Sequence, residues 1–194
     1  ECLAKFGRLL ADAPDYRVPG FHADLSGRDV LAMDYVAGTA VEAMADASQA
    51  TRDRIMALMI RLCLRELFDF RLMQTDPNFA NYRYDRASDR LVLLDFGATR
   101  AFETDFVAQY RALLAAGMTG DADAAQMAMI KIGFFDVATP AKHQTAIATM
   151  FDTAFAPLRA GGLFDFADNS IAASVRDEGI AIATDRDFWH IPPI

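Results

Sequence analysis

Apolar and polar positions change period several times along the chain. Residues 2–10 fit the end of a helix, stopped by Pro14 and by Pro19-Gly20. The run Val30-Leu31-Ala32-Met33-Asp34-Tyr35-Val36, within residues 29–36, reads as a strand closed by Ala37-Gly38-Thr39. Residues 51–72 carry the strongest helical pattern. Their apolar positions, Ile55, Leu58, Met59, Leu62, Leu67 and Phe70, cover more than one stripe, as expected of a helix buried on most sides. Cys63 falls inside that helix and is expected to be an inert, small apolar residue. Tyr82-Arg83-Tyr84 and Leu91-Val92-Leu93-Leu94 then read as short strands joined by the polar turn Arg86-Ala87-Ser88-Asp89. Beyond Arg100 the pattern predicts helices only, over residues 102–118, 123–132, 140–158 and 170–183. Phe134, Phe135, Phe151, Phe155, Phe164, Phe166 and Trp189 are read as core and helix-packing residues. The expected fold is mainly α with a small β-hairpin.

Composition narrows the function classes. The chain has 194 residues, the size of one ordinary domain or a large piece of a bigger protein. With 53% hydrophobic and 24% charged residues, a folded chain is expected. A net charge of −8 argues against a nucleic-acid backbone or an anionic membrane surface as the main partner. Cys2 and Cys63 cannot build a disulfide framework and suit a reducing compartment. His22, His143 and His190 are scattered, which disfavours a structural zinc site. The most apolar stretch, residues 55–70, is interrupted by Arg61, Arg65, Glu66 and Asp69, so no transmembrane span is predicted. The chain opens Glu-Cys-Leu-Ala-Lys and closes on an apolar run, as expected of an excerpt from a longer protein.

Two acidic-amide clusters flank the hairpin: Gln74-Thr75-Asp76-Pro77-Asn78-Phe79-Ala80-Asn81 before it and Asp95-Phe96-Gly97 after it. A turn centred near Ser88 would set Asn81 and Asp95 opposite each other, about 4.5–5.5 Å apart at Cα. Two oxygen ligands on a rigid ribbon suit Mg²⁺, which takes one or two protein oxygens and completes its octahedron with phosphate and water. Pro77 restricts Asp76 to extended backbone angles, and a carboxylate beside a metal-phosphate site can accept the proton of a hydroxyl nucleophile. Asp-x4-Asn, a hairpin and Asp-Phe-Gly in that order is the phosphoryl-transfer arrangement of protein kinases. Asp76 is then the catalytic base, and Asn81 and Asp95 are the metal ligands. Upstream, Met33-Asp34-Tyr35-Val36-Ala37-Gly38 resembles the hinge between kinase lobes. By that resemblance the Asp34 carbonyl and the Val36 N–H face the purine, and Met33 guards the back pocket.

The runs Cys63-Leu64-Arg65-Glu66-Leu67-Phe68, Met73-Gln74-Thr75-Asp76-Pro77-Asn78 and Leu93-Leu94-Asp95-Phe96-Gly97-Ala98-Thr99-Arg100 resemble the ABC1/UbiB/COQ8 (AarF-type) family of atypical kinases. Gln-Thr-Asp-Pro-Asn in place of His-Arg-Asp is characteristic of that family. The resemblance implies a protein-kinase-like C-terminal lobe, ATP and Mg²⁺ as cofactors, ATPase activity and a role in ubiquinone biosynthesis. It implies ubiquinone-biosynthesis proteins or lipid intermediates as partners, with peripheral membrane association. The implied location is the cytoplasm or inner-membrane surface of a bacterium, or the matrix side of a mitochondrion. Residues 1–36 would be the end of the N-lobe and the hinge strand, and residues 37–194 the helical C-lobe. The family's N-lobe carries an Ala-rich loop, a strand lysine and a Lys-x-Gly-Gln helix. The only lysines here are Lys5, Lys131 and Lys142, none in a strand before the hinge. Most of that lobe is therefore expected outside this stretch, and activity is expected of the full-length protein rather than of this stretch alone. After Arg100 no Ala-Pro-Glu or long activation segment follows, which disfavours a peptide substrate. Two further readings share these residues: a nucleotide-binding regulatory pseudokinase, and a small-molecule phosphotransferase of the aminoglycoside or choline kinase type.

Overall fold

A computed structural model describes residues 1–76, 78–165 and 168–185. The chain divides into two compact units, Glu1–Glu103 and Thr104–Ile194.

The first unit carries every strand found among the described residues. Helix α1 (Cys2–Leu9) buries Leu3 and Phe6. Strands β1 (Tyr16–Arg17) and β2 (Thr39–Ala40) precede helix α2 (Gln49–Arg65), followed by β3 (Leu72–Gln74), β4 (Tyr82–Asp85), β5 (Arg90–Leu93) and β6 (Thr99–Ala101). One sheet runs β1-β5-β4-β2, and β3 pairs with β6 in a separate antiparallel ribbon. Because β5 has a neighbour on each side, Leu91, Val92 and Leu93 are all buried, as a central strand requires. The core joins Phe6, Leu58, Leu62, Leu91 and Phe96. Polar ties hold α2 to the sheet: the Tyr16 hydroxyl donates to Leu58 O at 2.9 Å, and Arg54 and Arg61 both reach Asp15.

Three expectations for the elements of this unit need correction. Residues 29–36 form no continuous strand; Phe21 and Met33 make a single antiparallel bridge, held by the His22 N–H on Ala32 O and the Asp34 N–H on Gly20 O. The long helix does not run to residue 72. Ser48 caps its start by accepting the Thr51 N–H, and after Arg65 the chain widens into one π-turn, Glu66–Phe70, ended by Arg71 in the left-handed region at φ 50°. Nor is α2 buried on most sides: one stripe, Ile55, Leu58 and Leu62, is buried, whereas Ile60, Cys63 and Leu64 are exposed. Cys63 is exposed, and its thiol pKa is pushed up, first by desolvation and then by Glu66. The mainly α expectation with a small β part holds; the short strands β1, β2, β3 and β6, of two or three residues each, extend the hairpin and are too brief for alternation to register.

The second unit follows the expected helices closely. These are α3 (Thr104–Thr119), α4 (Ala122–Ile132), α5 (Ala141–Ala160) and α6 (Ser170–Thr184). Its core holds Leu113, Ala116, Ala125, Ala128, Met129 and Phe135, and Phe151 stacks on Phe155 at 4.5 Å. Phe164 is 41% exposed and so is not a core residue, while Phe166 and Trp189 lie outside the described residues. Asp121 starts α4 by accepting the Ala124 N–H at 2.9 Å. Gly133 ends α4 at φ 97°, with its N–H on Ile130 O and the Phe134 N–H reaching back to Met129 O. This is a Schellman closure, which a side chain at position 133 would strain. Gly133→Ala is expected to cost about 1 kcal/mol, read as a lowered urea midpoint at unchanged slope. Among the described residues no helix is long and apolar enough to cross a membrane.

Candidate active site

The β3–β6 ribbon brings the two polar clusters together. Gln74 pairs with Thr99, and both the N–H and the hydroxyl of Thr75 donate to Ala98 O, at 2.7 and 2.8 Å. The loop carrying Asp76 is thereby stitched to the segment just after Asp95-Phe96-Gly97. Asp76 is exposed, and the Asn81 amide nitrogen points at its carbonyl and its carboxylate, at 3.4 and 3.5 Å. Asn81 ends a short 3₁₀ turn, Phe79–Asn81, that Asn78 caps by accepting the Ala80 N–H. Pro77 lies outside the described residues.

The hairpin register differs from expectation by one residue. Tyr82 pairs with Leu93, and the Leu94 N–H donates to Asn81 O at 3.0 Å, so Asn81 faces Leu94 rather than Asp95. The turn spans four residues, 86–89, and its midpoint falls between Ala87 and Ser88 instead of on Ser88. Asp85 caps the Ala87 N–H, and Asp89 takes the left-handed conformation at φ 57°, which closes the turn at that length. Asp95 therefore sits one residue past the ladder. There an Asx turn, not the pleat, sets its direction: its Oδ1 accepts the Gly97 N–H at 2.8 Å. Phe96 points the other way and packs on Phe6, ring centroids 4.8 Å apart.

Two oxygens from Asn81 and Asp95 suit a hard cation that draws its other ligands from phosphate and water. Among the described residues no three His, Cys, Asp or Glu side chains gather as a metal cluster. Upstream, Met33 is partly exposed and Val36 buried. The Asp34 side chain accepts the Gly20 N–H at 3.1 Å and meets His22 Nε2 at 2.8 Å. The His22 bond, then the Gly20 bond, lowers the Asp34 pKa below its ordinary value.

Sequence reasoning gave no catalytic role to a buried group behind the loop. Glu66 and Gln74 are 3% and 7% exposed, and Glu66 Oε2 accepts the Gln74 N–H at 3.2 Å. Burial pushes the Glu66 carboxyl up to about 7, partly offset by that N–H. Burial, with the Glu66 charge second, pushes Tyr82 up to about 12. The signal available beforehand was an acid within the apolar run Cys63–Phe68. A raised carboxyl pKa stabilises the folded state most when the group is protonated in both states. That contribution is complete below about pH 4.5 and lost as pH rises towards 7. The cost of ionising Glu66 inside is on the order of 3 kcal/mol above that range. Glu66→Gln should therefore raise the urea midpoint at pH 8 and flatten its fall between pH 5 and 8.

The ABC1 atypical kinase-like domain model matches residues 1–129. The chain is 38% identical over 179 residues to the rat protein "Atypical kinase COQ8B, mitochondrial", covering 90% of this chain and 33% of the relative. It is 33% identical over 178 residues to "Atypical kinase COQ8, mitochondrial" of Saccharomyces cerevisiae, covering 91% of this chain and 36% of the relative. It thus spans about a third of the length of these curated relatives. A Mycobacterium tuberculosis protein, Rv3197, solved in complex with erythromycin, shares the fold at TM-score 0.65 and 17% identity, covering 91% of this chain and 51% of that one. The fold is kinase-like, the curated relatives are named atypical kinases, and the chain belongs to the ABC1 atypical kinase-like family.

Proposed function

We propose that this chain carries the phosphoryl-transfer half of an ATP- and Mg²⁺-dependent atypical kinase or ATPase that supports ubiquinone biosynthesis. Asp76 is the base, Asn81 and Asp95 hold the cation, and the backbone of Asp34 and Val36, with Met33 behind, receives the adenine. The observation that carries this reading is the ribbon that ties the Asp76 loop to the Asp95 turn through Thr75 and Ala98. Bound Mg²⁺ would neutralise charge on the β- and γ-phosphates. Asn81, its amide nitrogen turned to Asp76, keeps its oxygen for the cation and steadies the loop. Asp95 offers Oδ2 while Oδ1 stays on the Gly97 N–H. Asp76, exposed at the mouth of the loop, orients a hydroxyl or water and takes its proton.

Only Phe102 and Glu103 separate β6 from α3, so this connection leaves no long segment for a peptide to lie along. That favours a small-molecule or lipid acceptor, or water, over a protein substrate. The division into an N-lobe end and hinge over residues 1–36 and a helical lobe over residues 37–194 belongs to the same reading. So does activity in the full-length protein rather than in this stretch alone, at a bacterial inner-membrane surface or in a mitochondrial matrix. The test is nucleotide titration of the full-length protein with and without Mg²⁺. Asp95→Ala should abolish the Mg²⁺-dependent gain in ATP affinity, and an undiminished gain would remove Asp95 from the metal site.

A further inference from the structure

Glu66 and Gln74 meet behind the Asp76 loop, and the function proposed above gives neither a task. The ribbon register explains why they meet. The Thr75 N–H and the Phe102 N–H cross the ribbon, to Ala98 O and Arg71 O. In an antiparallel pair the alternate residues send their N–H groups outward, and Gln74, opposite Thr99, is one of these. Outward from Gln74 means into protein rather than water, since the residue is buried. Glu66 supplies the missing acceptor: it follows Leu62 by one regular turn, its N–H on Leu62 O, and so continues the buried stripe of α2 toward Gln74.

An acid is a costly choice for that task. Among the described residues Glu66 is the only buried one, and its Oε1 and both amide atoms of Gln74 are enclosed without a hydrogen-bond partner. Polar groups left in that condition in a folded protein call for an explanation beyond packing. The bond lies two residues from Asp76, on the strand that delivers it.

We propose that Glu66 is a positioning residue for phosphoryl transfer, gripping the outward N–H of Gln74 and thereby fixing where the chain presents Asp76. This rests on the reading of Asp76 as the base. The groups facing Glu66 are Cys63 from the last turn of α2, Tyr82 from β4 and Gln74 from β3; on its own turn Asp69 lies 3.8 Å from Arg65. The grip is a charge-assisted bond when Glu66 is ionised and a weaker one when it is protonated. The turnover number should therefore rise as pH passes about 7, where Glu66 loses its proton.

The experiment is Mg-ATP turnover by the full-length protein, with nucleotide affinity measured by titration of a fluorescent ATP analogue. Glu66→Met keeps the volume and removes the acceptor. It should lower kcat about tenfold or more while Kd for the analogue stays within about twofold. Glu66→Gln keeps an acceptor and should restore most of kcat, but lose the rise near pH 7. The proposal is overturned if Glu66→Met turns over like wild type, if its kcat and affinity fall in parallel, or if Glu66→Gln keeps the rise. Should Glu66→Met fail to fold, the pH profile of Glu66→Gln decides. Asp76→Asn run alongside separates the two readings. An active Asp76→Asn removes the base assignment, whereas an inactive one beside a fully active Glu66→Met removes only the positioning role.

Discussion

Asp76→Asn in the full-length protein is expected to lower Mg-ATP turnover by about 10²–10⁴-fold while nucleotide affinity stays within about twofold. The substitution keeps the shape and the polar contact with Asn81, and removes only the capacity to accept a proton. Asp76 is exposed and neither pairs with β6 nor belongs to the core, so little of the fold depends on its charge. Loss of turnover with binding intact is the signature of an interaction made in the transition state alone. The regulatory alternative, in which ATP and Mg²⁺ only switch conformation, predicts a different pattern. There Asp76→Asn leaves both binding and the low basal turnover as they were. Steady-state hydrolysis and analogue titration on one preparation separate the two, and retained turnover would withdraw the base assignment.

The parts of this architecture that were legible in the sequence are those with local causes. In the second unit Asp121, Gly133 and Pro140 punctuate the helices, and the observed bounds fall within a few residues of those expected. The hairpin was legible because Tyr82–Asp85 and Arg90–Leu93 flank a polar turn. The spacing of Asp76, Asn81 and Asp95 could be read as a site, but their facing could not. A four-residue turn moved Asn81 opposite Leu94, and a slip of one residue alters what every side chain of a strand meets. The π-turn at Glu66–Phe70 has no signature in a 3.6-residue period. Neither do strands of two residues such as β1 and β2. The Glu66–Gln74 contact joins residues whose only relation is tertiary. An acid within an apolar run was its one local trace, and the same trace served equally well to exclude a membrane span.

Phe6→Ala should cost about 3–5 kcal/mol of stability, the range for removing a fully buried aromatic side chain. Phe6 is 0% exposed and is among the largest fully enclosed side chains of the described residues. Its ring lies 4.8 Å from that of Phe96, tilted 35°, in the core that also holds Leu58, Leu62 and Leu91. Truncation would leave a cavity among Leu58, Leu62, Leu91 and Phe96 that the packed neighbours fill only in part. The consequence reaches the site. Phe96 is the residue between Asp95 and Gly97, and its seat on Phe6 anchors the turn in which Asp95 accepts the Gly97 N–H. Phe6→Leu restores most of the volume and should lose only about 1–2 kcal/mol. Urea unfolding of the three proteins measures the stability series. Mg²⁺-dependent ATP binding, measured where all three are folded, should weaken in the same order. If stability falls with that affinity unchanged, Phe6 supports the core but not the placement of Asp95. An unchanged urea midpoint in Phe6→Ala would mean instead that α1 is not docked on the sheet in solution.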